Sequence, residues 1–234
     1  MSFGTYDDLL QAALCGTWTD DVLVTGTTRR SFSILKRNLD IGVDTIYTGC
    51  EVNQLKLSFP LQEKITATFS IIGSAEQAYT VPGTATFDDA STTDYMTTFD
   101  GSLSLGGTAI NYATQLDLTL DNAITAKYSL FNRPAYAMKI GMIGMTGQLS
   151  AYIEDDTLKD KYRDETDTAV VVNAVDASVN PNTYTFTLPR ARLTSAQDQD
   201  SGDDLIIQQL NITSILDPTA DTEFKIERAA YVAP

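Results

Sequence analysis

The residues best suited to chemistry are carboxylates that lie close together in the sequence. Asp198, Asp200, Asp203 and Asp204 surround Gly202 in one short acidic segment. Alternate acids in a loop present several hard oxygens, the ligand type that calcium prefers. The order departs from an EF-hand, because the glycine comes one position early and no glutamate closes the loop. A solvated acidic turn is the simpler interpretation, and an ion site is the alternative.

A second acidic run, Glu154 to Asp156, contains carboxylates of the kind that glycosidases use in pairs. The segment that follows, Asp156 to Arg163, has Leu158 and Tyr162 at helical spacing. Negative charge is favoured at a helix N-terminus. We therefore expect this run to begin a short helix rather than to catalyse hydrolysis.

Other catalytic machinery is missing from the sequence. Histidine is absent, which excludes Ser-His-Asp triads, Cys-His pairs and His-ligated zinc. Cys15 and Cys50 are far apart and form no C-x-x-C pair, so we predict two inert, buried thiols. No P-loop, dinucleotide-binding fingerprint or G-x-S-x-G motif occurs. We predict that the chain is not an enzyme and uses no cofactor or metal.

The charge balance narrows the choice of partners. The 234 residues include 31 acidic and 16 basic ones, a net charge of −15. Such a surface repels phosphate, which disfavours nucleic-acid readout and docking on anionic membranes. The basic doublets, Lys159 with Lys161 and Arg190 with Arg192, are expected to pair with carboxylates.

Neither the N-terminus nor the hydropathy pattern indicates targeting to a membrane. Asp7 and Asp8 precede the first apolar run, where a signal peptide would have basic residues. The best candidate for a span, Ala135 to Met145, contains Lys139 and is shorter than the ~18 residues that a membrane requires. We expect a soluble protein made in a cytoplasm.

The elements that must position these residues are mainly antiparallel strands. Lys64 to Ile71 alternates Ile65, Ala67, Phe69 and Ile71 with polar residues, and Leu116 to Asp121 and Tyr184 to Leu188 repeat the pattern. Further strands are expected at Gly147–Glu154, Thr168–Ala174, Thr183–Leu193, Asp204–Ile215 and Glu223–Arg228, with an acidic loop from Gln197 to Asp204. An N-terminal helix is predicted between Thr5 as N-cap and Gly16 as C-cap. We predict one all-β domain over residues 1–234, a β-sandwich or partial barrel with two helices.

An internal similarity suggests that one hairpin is used twice. A shift of 59 residues aligns Leu57–Phe59 and Ile65–Ile71 with Leu116–Leu118 and Ile124–Leu130. The two units span about residues 49–73 and 107–132. Duplication is the preferred interpretation, and simple strand patterning is the alternative.

The order of these blocks resembles the tail tube proteins (major tail proteins) of long-tailed bacteriophages. The resemblance runs through Gly16-Thr17-Trp18, Ser31–Gly42, Tyr47–Ser58, Ile65–Gly73, Gln115–Asn132, Thr146–Asp155, Tyr184–Arg190 and Leu210–Arg228. It implies that six copies join their sheets into one continuous β-barrel ring. Stacked rings would form the virion tube that conducts the genome during ejection.

The resemblance also implies partners and a lumen wall. The expected partners are further copies of the chain and tail initiation or tip, tape measure and tail terminator proteins, with transient passage of DNA and no membrane. Assembly is expected in the host cytoplasm. Candidate wall residues are the polar positions of the two hairpins: Lys56, Ser58, Thr66, Thr68, Ser70, Asp117, Thr119, Asp121, Thr125, Lys127 and Ser129. The wall is expected to be acidic or neutral.

Three other functions stay open. A tube protein of a contractile injection or type VI secretion system would share the ring architecture. A carbohydrate-binding β-sandwich is less favoured, because the single tryptophan, Trp18, leaves no stacking platform. A glycosidase based on an acid pair is least favoured.

Overall fold

The computed structural model describes residues 1–89, 91–199 and 205–231, and these form two helices and fifteen strands. Helices α1 and α2 span Asp7–Leu14 and Thr157–Arg163. The strands are β1 (Val22–Val24), β2 (Phe32–Asn38), β3 (Val43–Pro60), β4 (Thr66–Ile72), β5 (Ala75–Tyr79), β6 (Met96–Leu105), β7 (Thr108–Ala109), β8 (Ala113–Asp121), β9 (Thr125–Lys127), β10 (Ala137–Lys139), β11 (Gly144–Tyr152), β12 (Thr168–Asp176), β13 (Thr183–Gln199), β14 (Ile207–Ser214) and β15 (Lys225–Ala229).

The predicted all-β fold class is confirmed, and every pairing between named strands is antiparallel among the residues described. The main path of the sheet runs β2-β3-β8-β11-β14-β13-β12-β6-β7, with β4 and β5 on β3 and β15 on β13. Alternation in β12 and in the first half of β13 buries every second residue. The alternation in the sequence therefore corresponds to strands that bury one face.

The sheet folds back on itself and encloses one core. Phe59 of β3 and Phe186 of β13 are four pairings apart along the sheet, yet their ring centroids are 5.7 Å apart. Phe186 also stacks on Phe224, and Tyr184 lies 6.0 Å from Phe186. Two layers therefore face each other, as in a β-sandwich, and the sheet does not close within one chain.

Two long strands serve both layers. The first part of β3 pairs with β2 and β5, and its second part pairs with β4 and β8. The first half of β13 pairs with β12 and β15, and Ala191–Gln199 pairs with β14. The predicted acidic loop is wrong at its start, because Gln197–Gln199 continues β13. The remainder of that loop, residues 200–204, lies outside the described residues.

Helix α1 packs on β3 and β1 and buries Leu10 and Leu14. A polar cluster fixes its first turn: the Tyr184 hydroxyl donates to Asp7, and Arg228 donates to Asp7 and Asp21. Burial, followed by the hydrogen bond to Asp7, raises the pKa of Tyr184. The Arg228 guanidinium also lies 4.5 Å from the centre of the Trp18 ring, so the single tryptophan makes a cation–π contact within the fold.

Both predicted caps of α1 are wrong. Tyr6, not Thr5, is the N-cap, and the Thr5 hydroxyl pairs with Ser2. At the other end Cys15 takes the left-handed conformation, with Cys15 N–H donating to Ala12 O and Gly16 N–H to Gln11 O. This is a Schellman motif displaced by one residue. Gly16 is needed for space, because a Cβ there would lie 2.1 Å from Val24 O.

The two similar units fold differently. Residues 49–73 form the β3–β4 hairpin, whereas β8 pairs with β3 and β11, and β9 pairs with β10. Ser58 and Asp117, which the 59-residue shift equates, are direct cross-strand partners. The two units therefore lie side by side at this pair. A second hairpin would need β9 to pair with β8, but β3 and β11 already occupy the two edges of β8.

Asn122 redirects the chain after β8. Its side chain is buried, and its Nδ2 donates to Ala13 O and Val52 O at 2.9 Å each. Its backbone N–H donates to Asn53 O. One residue thus joins the end of α1, strand β3 and the exit from β8.

We expect Asn122→Ala to lower the melting temperature by roughly 5–10 °C, because two buried carbonyls lose their donors at a cost of about 1–3 kcal/mol each. Thermal unfolding monitored by circular dichroism measures the change. Asn132→Ala, at an exposed position, is the matched control. Equal melting temperatures for the two variants would contradict this role of Asn122.

Candidate functional site

One part of the sheet has a continuous polar face. It consists of β4, the second half of β3, β8, β11, β14 and the second half of β13. Cross-strand partners point to the same side of a sheet. The pairing therefore aligns three polar rows: Thr66–Ser58–Asp117–Gln148–Asn211–Ser195, Thr68–Lys56–Thr119–Thr146–Thr213–Arg192 and Ser70–Gln54–Asp121. We call this surface the polar face. The opposite side carries Leu57, Leu118, Leu149 and Leu210, all fully buried.

At the centre of the polar face, the Asp117 carboxylate contacts three neighbouring side chains. Asp117 accepts hydrogen bonds from the Ser58 hydroxyl and, at 3.0 Å, from Gln115 Nε2. Lys56 Nζ lies 3.3 Å from Oδ2 of the same carboxylate. Asp121 Oδ1 accepts the Ala123 N–H at 2.7 Å and so ends the strand. These interactions fix the orientation of both acids.

The formal charges on the three rows cancel. Lys56 and Arg192 contribute two positive charges, and Asp117 and Asp121 contribute two negative charges. Arg192 is also paired with Asp167, which lies 2.8 Å away. The polar face is thus close to neutral on a chain of net charge −15.

Eight of the eleven predicted wall residues lie together on the polar face: Lys56, Ser58, Thr66, Thr68, Ser70, Asp117, Thr119 and Asp121. The other three lie elsewhere. Thr125 and Lys127 belong to β9, in the separate β9–β10 sheet, and Ser129 follows β9 outside any strand. The different folding of the second unit accounts for this separation.

Sequence reasoning missed the contribution of β11 and β14 to the polar face. Thr146, Gln148, Asn211 and Thr213 extend its rows. The signal was present, because polar and apolar residues alternate in Gln148–Ala151 and Gln209–Thr213. Only the pairing order shows that these strands adjoin β8.

Both ends of this sheet carry an unpaired strand edge. Among the residues described, β4 pairs with β3 alone, and Arg192–Gln199 of β13 pairs with β14 alone. Unpaired edges present free backbone N–H and C=O groups that another strand can bind. The polar face is therefore bounded by two possible pairing sites.

Two of the acidic candidates, Asp198 and Asp155, have structural partners. Asp198 Oδ2 accepts from Lys159 at 2.6 Å, and Asp198 Oδ1 accepts from Gln208; these hydrogen bonds lower the pKa of Asp198. Asp155 accepts the Thr157 N–H at the start of α2, which lowers the pKa of its carboxyl. Asp155 therefore lies at the N-terminus of α2, as expected from the prediction that the acidic run begins a short helix.

The arginine doublet and the cysteines also follow their simpler interpretations. Arg190 and Arg192 both donate to Asp167, and these hydrogen bonds lower the pKa of that carboxyl. Cys15 and Cys50 are buried free thiols, and burial raises the pKa of both. In the described part of the chain, no group of three or more Cys, Asp or Glu residues is arranged to hold a metal.

No helix of the described ranges is both long and apolar enough to cross a membrane.

Comparison with known proteins supplies the family context. A family model for "Phage tail tube protein" matches residues 1–214. No match was found among curated proteins. Among solved structures, the tube-terminating cap of the anti-feeding prophage is similar at 11% identity and a TM-score of 0.43, covering 61% of this chain and 97% of that chain. The SPP1 tail tube is similar at 10% identity and a TM-score of 0.32, covering 77% and 78% of the two chains.

Proposed function

This chain belongs to the phage tail tube protein family, and from that premise we propose that six copies join their sheets edge to edge into a ring. Stacked rings form the hollow tail tube, through which the genome leaves the virion. The chain is then a structural, non-enzymatic component of the tail. The observation that carries this proposal is the pair of unpaired edges that bound one polar sheet face.

The directions of the two edges suit closure. Five antiparallel pairings separate β4 from β13, so the two strands run in opposite directions. Rotation about a tube axis keeps the direction of each strand along that axis. The β4 edge of one copy therefore meets the β13 edge of the next in antiparallel pairing. A closed ring satisfies backbone groups that a single chain leaves free.

In this arrangement the polar face lines the lumen. Its opposite side is already buried in the core, so only the polar face is available to water and DNA. Its balanced charge offers no cationic track for phosphates, and DNA passes without a strong binding site. Lys127, Thr125 and Ser129 would lie beyond the end of the wall, on the segment that leaves β8.

The tube requires partners that start, measure and end it. We include tail initiation or tip, tape measure and tail terminator proteins among these, with assembly in the host cytoplasm. An interface made by strand pairing buries backbone groups as well as side chains, so it should be large and obligate in character.

We expect the purified full-length chain to form six-fold rings or hollow rods at high concentration. Mass photometry gives the copy number, and negative-stain microscopy gives the symmetry. A chain that stays monomeric at all concentrations, even when tail initiation proteins are added, would contradict the proposal.

A further inference from the structure

The hairpin of residues 125–139, which contains β9 and β10, stands apart from the main sheet. Its strands pair only with each other among the described residues. Its base is nevertheless fixed: Ala135 N–H donates to Ser74 O, and Arg29 Nη2 bridges Met138 O and Glu51. We call this segment the arm.

The tip of the arm exposes large apolar side chains. Tyr128, Leu130 and Tyr136 are 68%, 85% and 77% exposed, and Phe131 is fully exposed. Phe131 also has φ 62°, a left-handed conformation that bulky residues rarely adopt. Clustered exposed apolar groups on a fixed support mark an interaction site.

The charge of the arm identifies a fitting partner. Lys127, Arg133 and Lys139 give it three positive charges and it contains no acid. Within the described ranges, none of the three forms an ion pair. The rest of the chain holds 13 basic and 31 acidic residues, because 16 minus 3 leaves 13, so its net charge is −18. A second copy of the same chain is electrostatically complementary to the arm.

The opposite end of the same strands carries a receptor of matching chemistry. A groove of about 300 Å³ opens there between the layers, lined by Phe59, Leu61, Ile65 and Ile110 among others. Glu63 and Asp100 directly adjoin the lining residues Gln62 and Gly101 in sequence, and both are exposed. No cation pairs with either carboxylate in the described part of the chain.

The two surfaces are placed for head-to-tail contact. The arm leaves the sheet just beyond the Gln54–Asp121 pair, whereas the groove lies at the Pro60–Gln115 pair. Six residues of strand separate these pairs, about 20 Å. A contact between different surfaces at opposite ends of one chain repeats without closing and builds a filament.

We propose that the arm of one copy inserts its apolar tip into the groove of a copy in the next ring, with its cations beside Glu63 and Asp100. This proposal rests on the ring described above, and it assigns the contact that stacks one ring on another. Closure of the ring itself uses the β4 and β13 edges and does not need the arm.

The test compares rings and tubes by negative-stain microscopy. Leu130→Ser with Phe131→Ser should leave rings intact and shorten tubes about tenfold or more, because a buried apolar anchor is lost. Both side chains are exposed in the monomer, so folding should be unaffected. Val179→Ser, which also changes an exposed apolar residue, is the matched control and should leave tube length unchanged.

A charge exchange identifies the receptor. Lys127→Glu with Arg133→Glu should block stacking, as should Glu63→Lys with Asp100→Lys, and the chain that carries all four substitutions should recover tubes. Rings without tubes in both double variants, followed by recovery, support the inference. Full-length tubes from the arm variants, folded monomers without rings, or failure of the fourfold variant to recover tubes would overturn it. Failure of the unaltered chain to form rings would instead count against the proposed function.

Discussion

A single proline in β4 should abolish ring formation while leaving the monomer folded. Successive residues of a strand direct their N–H groups to opposite edges of the strand. Of the two variants Ala67→Pro and Thr68→Pro, one therefore removes an N–H that points outward, away from β3, and the other removes an N–H that bonds to β3. The outward variant should keep a near-native melting temperature, because its lost donor had no partner in the monomer. The inward variant should melt lower, because it loses a ladder hydrogen bond.

The measurement pairs thermal unfolding with mass photometry at a concentration where the unaltered chain forms rings. Thr86→Pro, at an exposed position outside every strand, is the matched control and should assemble normally. The two melting temperatures themselves identify the outward N–H, because only the inward variant loses a bond within the monomer. Normal rings from the variant that retains native stability would show that β4 is not an assembly edge.

The sequence predicts well those parts of the fold that depend on local patterns. Alternation marks a strand with one wet face, and Leu116–Asp121 and Thr168–Ala174 lie within β8 and β12 as expected. The short second helix agrees with its predicted bounds within one residue, because Asp156 precedes Thr157 as its N-cap. These features depend on local periodicity and on charge near a helix end, which a single sequence displays directly.

Features set by the order of strands are harder to predict. Residues 57–71 and 116–130 share one alternating pattern, but β11 pairs with β8 and leaves β9 to pair with β10. The Asn122 side chain, which joins α1 to β3, gives no local sign of its two distant acceptors. The same holds for Gly16, whose missing side chain makes room for Val24 O.

The wall candidates show both cases together. Alternation identifies the residues of the first hairpin and of β8, because it assigns them to one side of a strand. Their polarity then assigns that side to the solvent and the apolar side to the core. A one-residue change of register would exchange the two faces, so the pattern fixes the register as well. Thr146 and Gln148 escape this reasoning because their membership of the face depends on β11 pairing with β8. They are also the best positions at which to change the wall, because both are exposed and neither takes part in the Lys56–Asp117 pair.

Thr146→Lys with Gln148→Lys should therefore turn a passive wall into one that holds DNA. Each chain gains two cations on the polar face, and the change repeats around and along the tube. Cations in contact with phosphates release counterions and bind tightly, whereas a neutral wall lets the duplex slide. Screening limits charge effects to about 8 Å at physiological salt, so outer-surface acids do not offset the new lysines. We expect genome ejection from virions carrying this variant to slow by about tenfold or more at low salt.

Salt dependence separates this mechanism from a defect in assembly. Retention by counterion release weakens steeply between about 50 and 200 mM salt, by about a thousandfold for six phosphate contacts, whereas a misassembled tube would stay defective. Thr146→Glu with Gln148→Glu is the matched control, with the same side-chain positions and the opposite charge, and should eject at the native rate. Asp117 and Asp121 are left unchanged, because replacing them would remove the contacts to Ser58, Lys56 and Ala123. Unaltered ejection from fully assembled lysine tails would mean that the polar face does not line the path of the DNA.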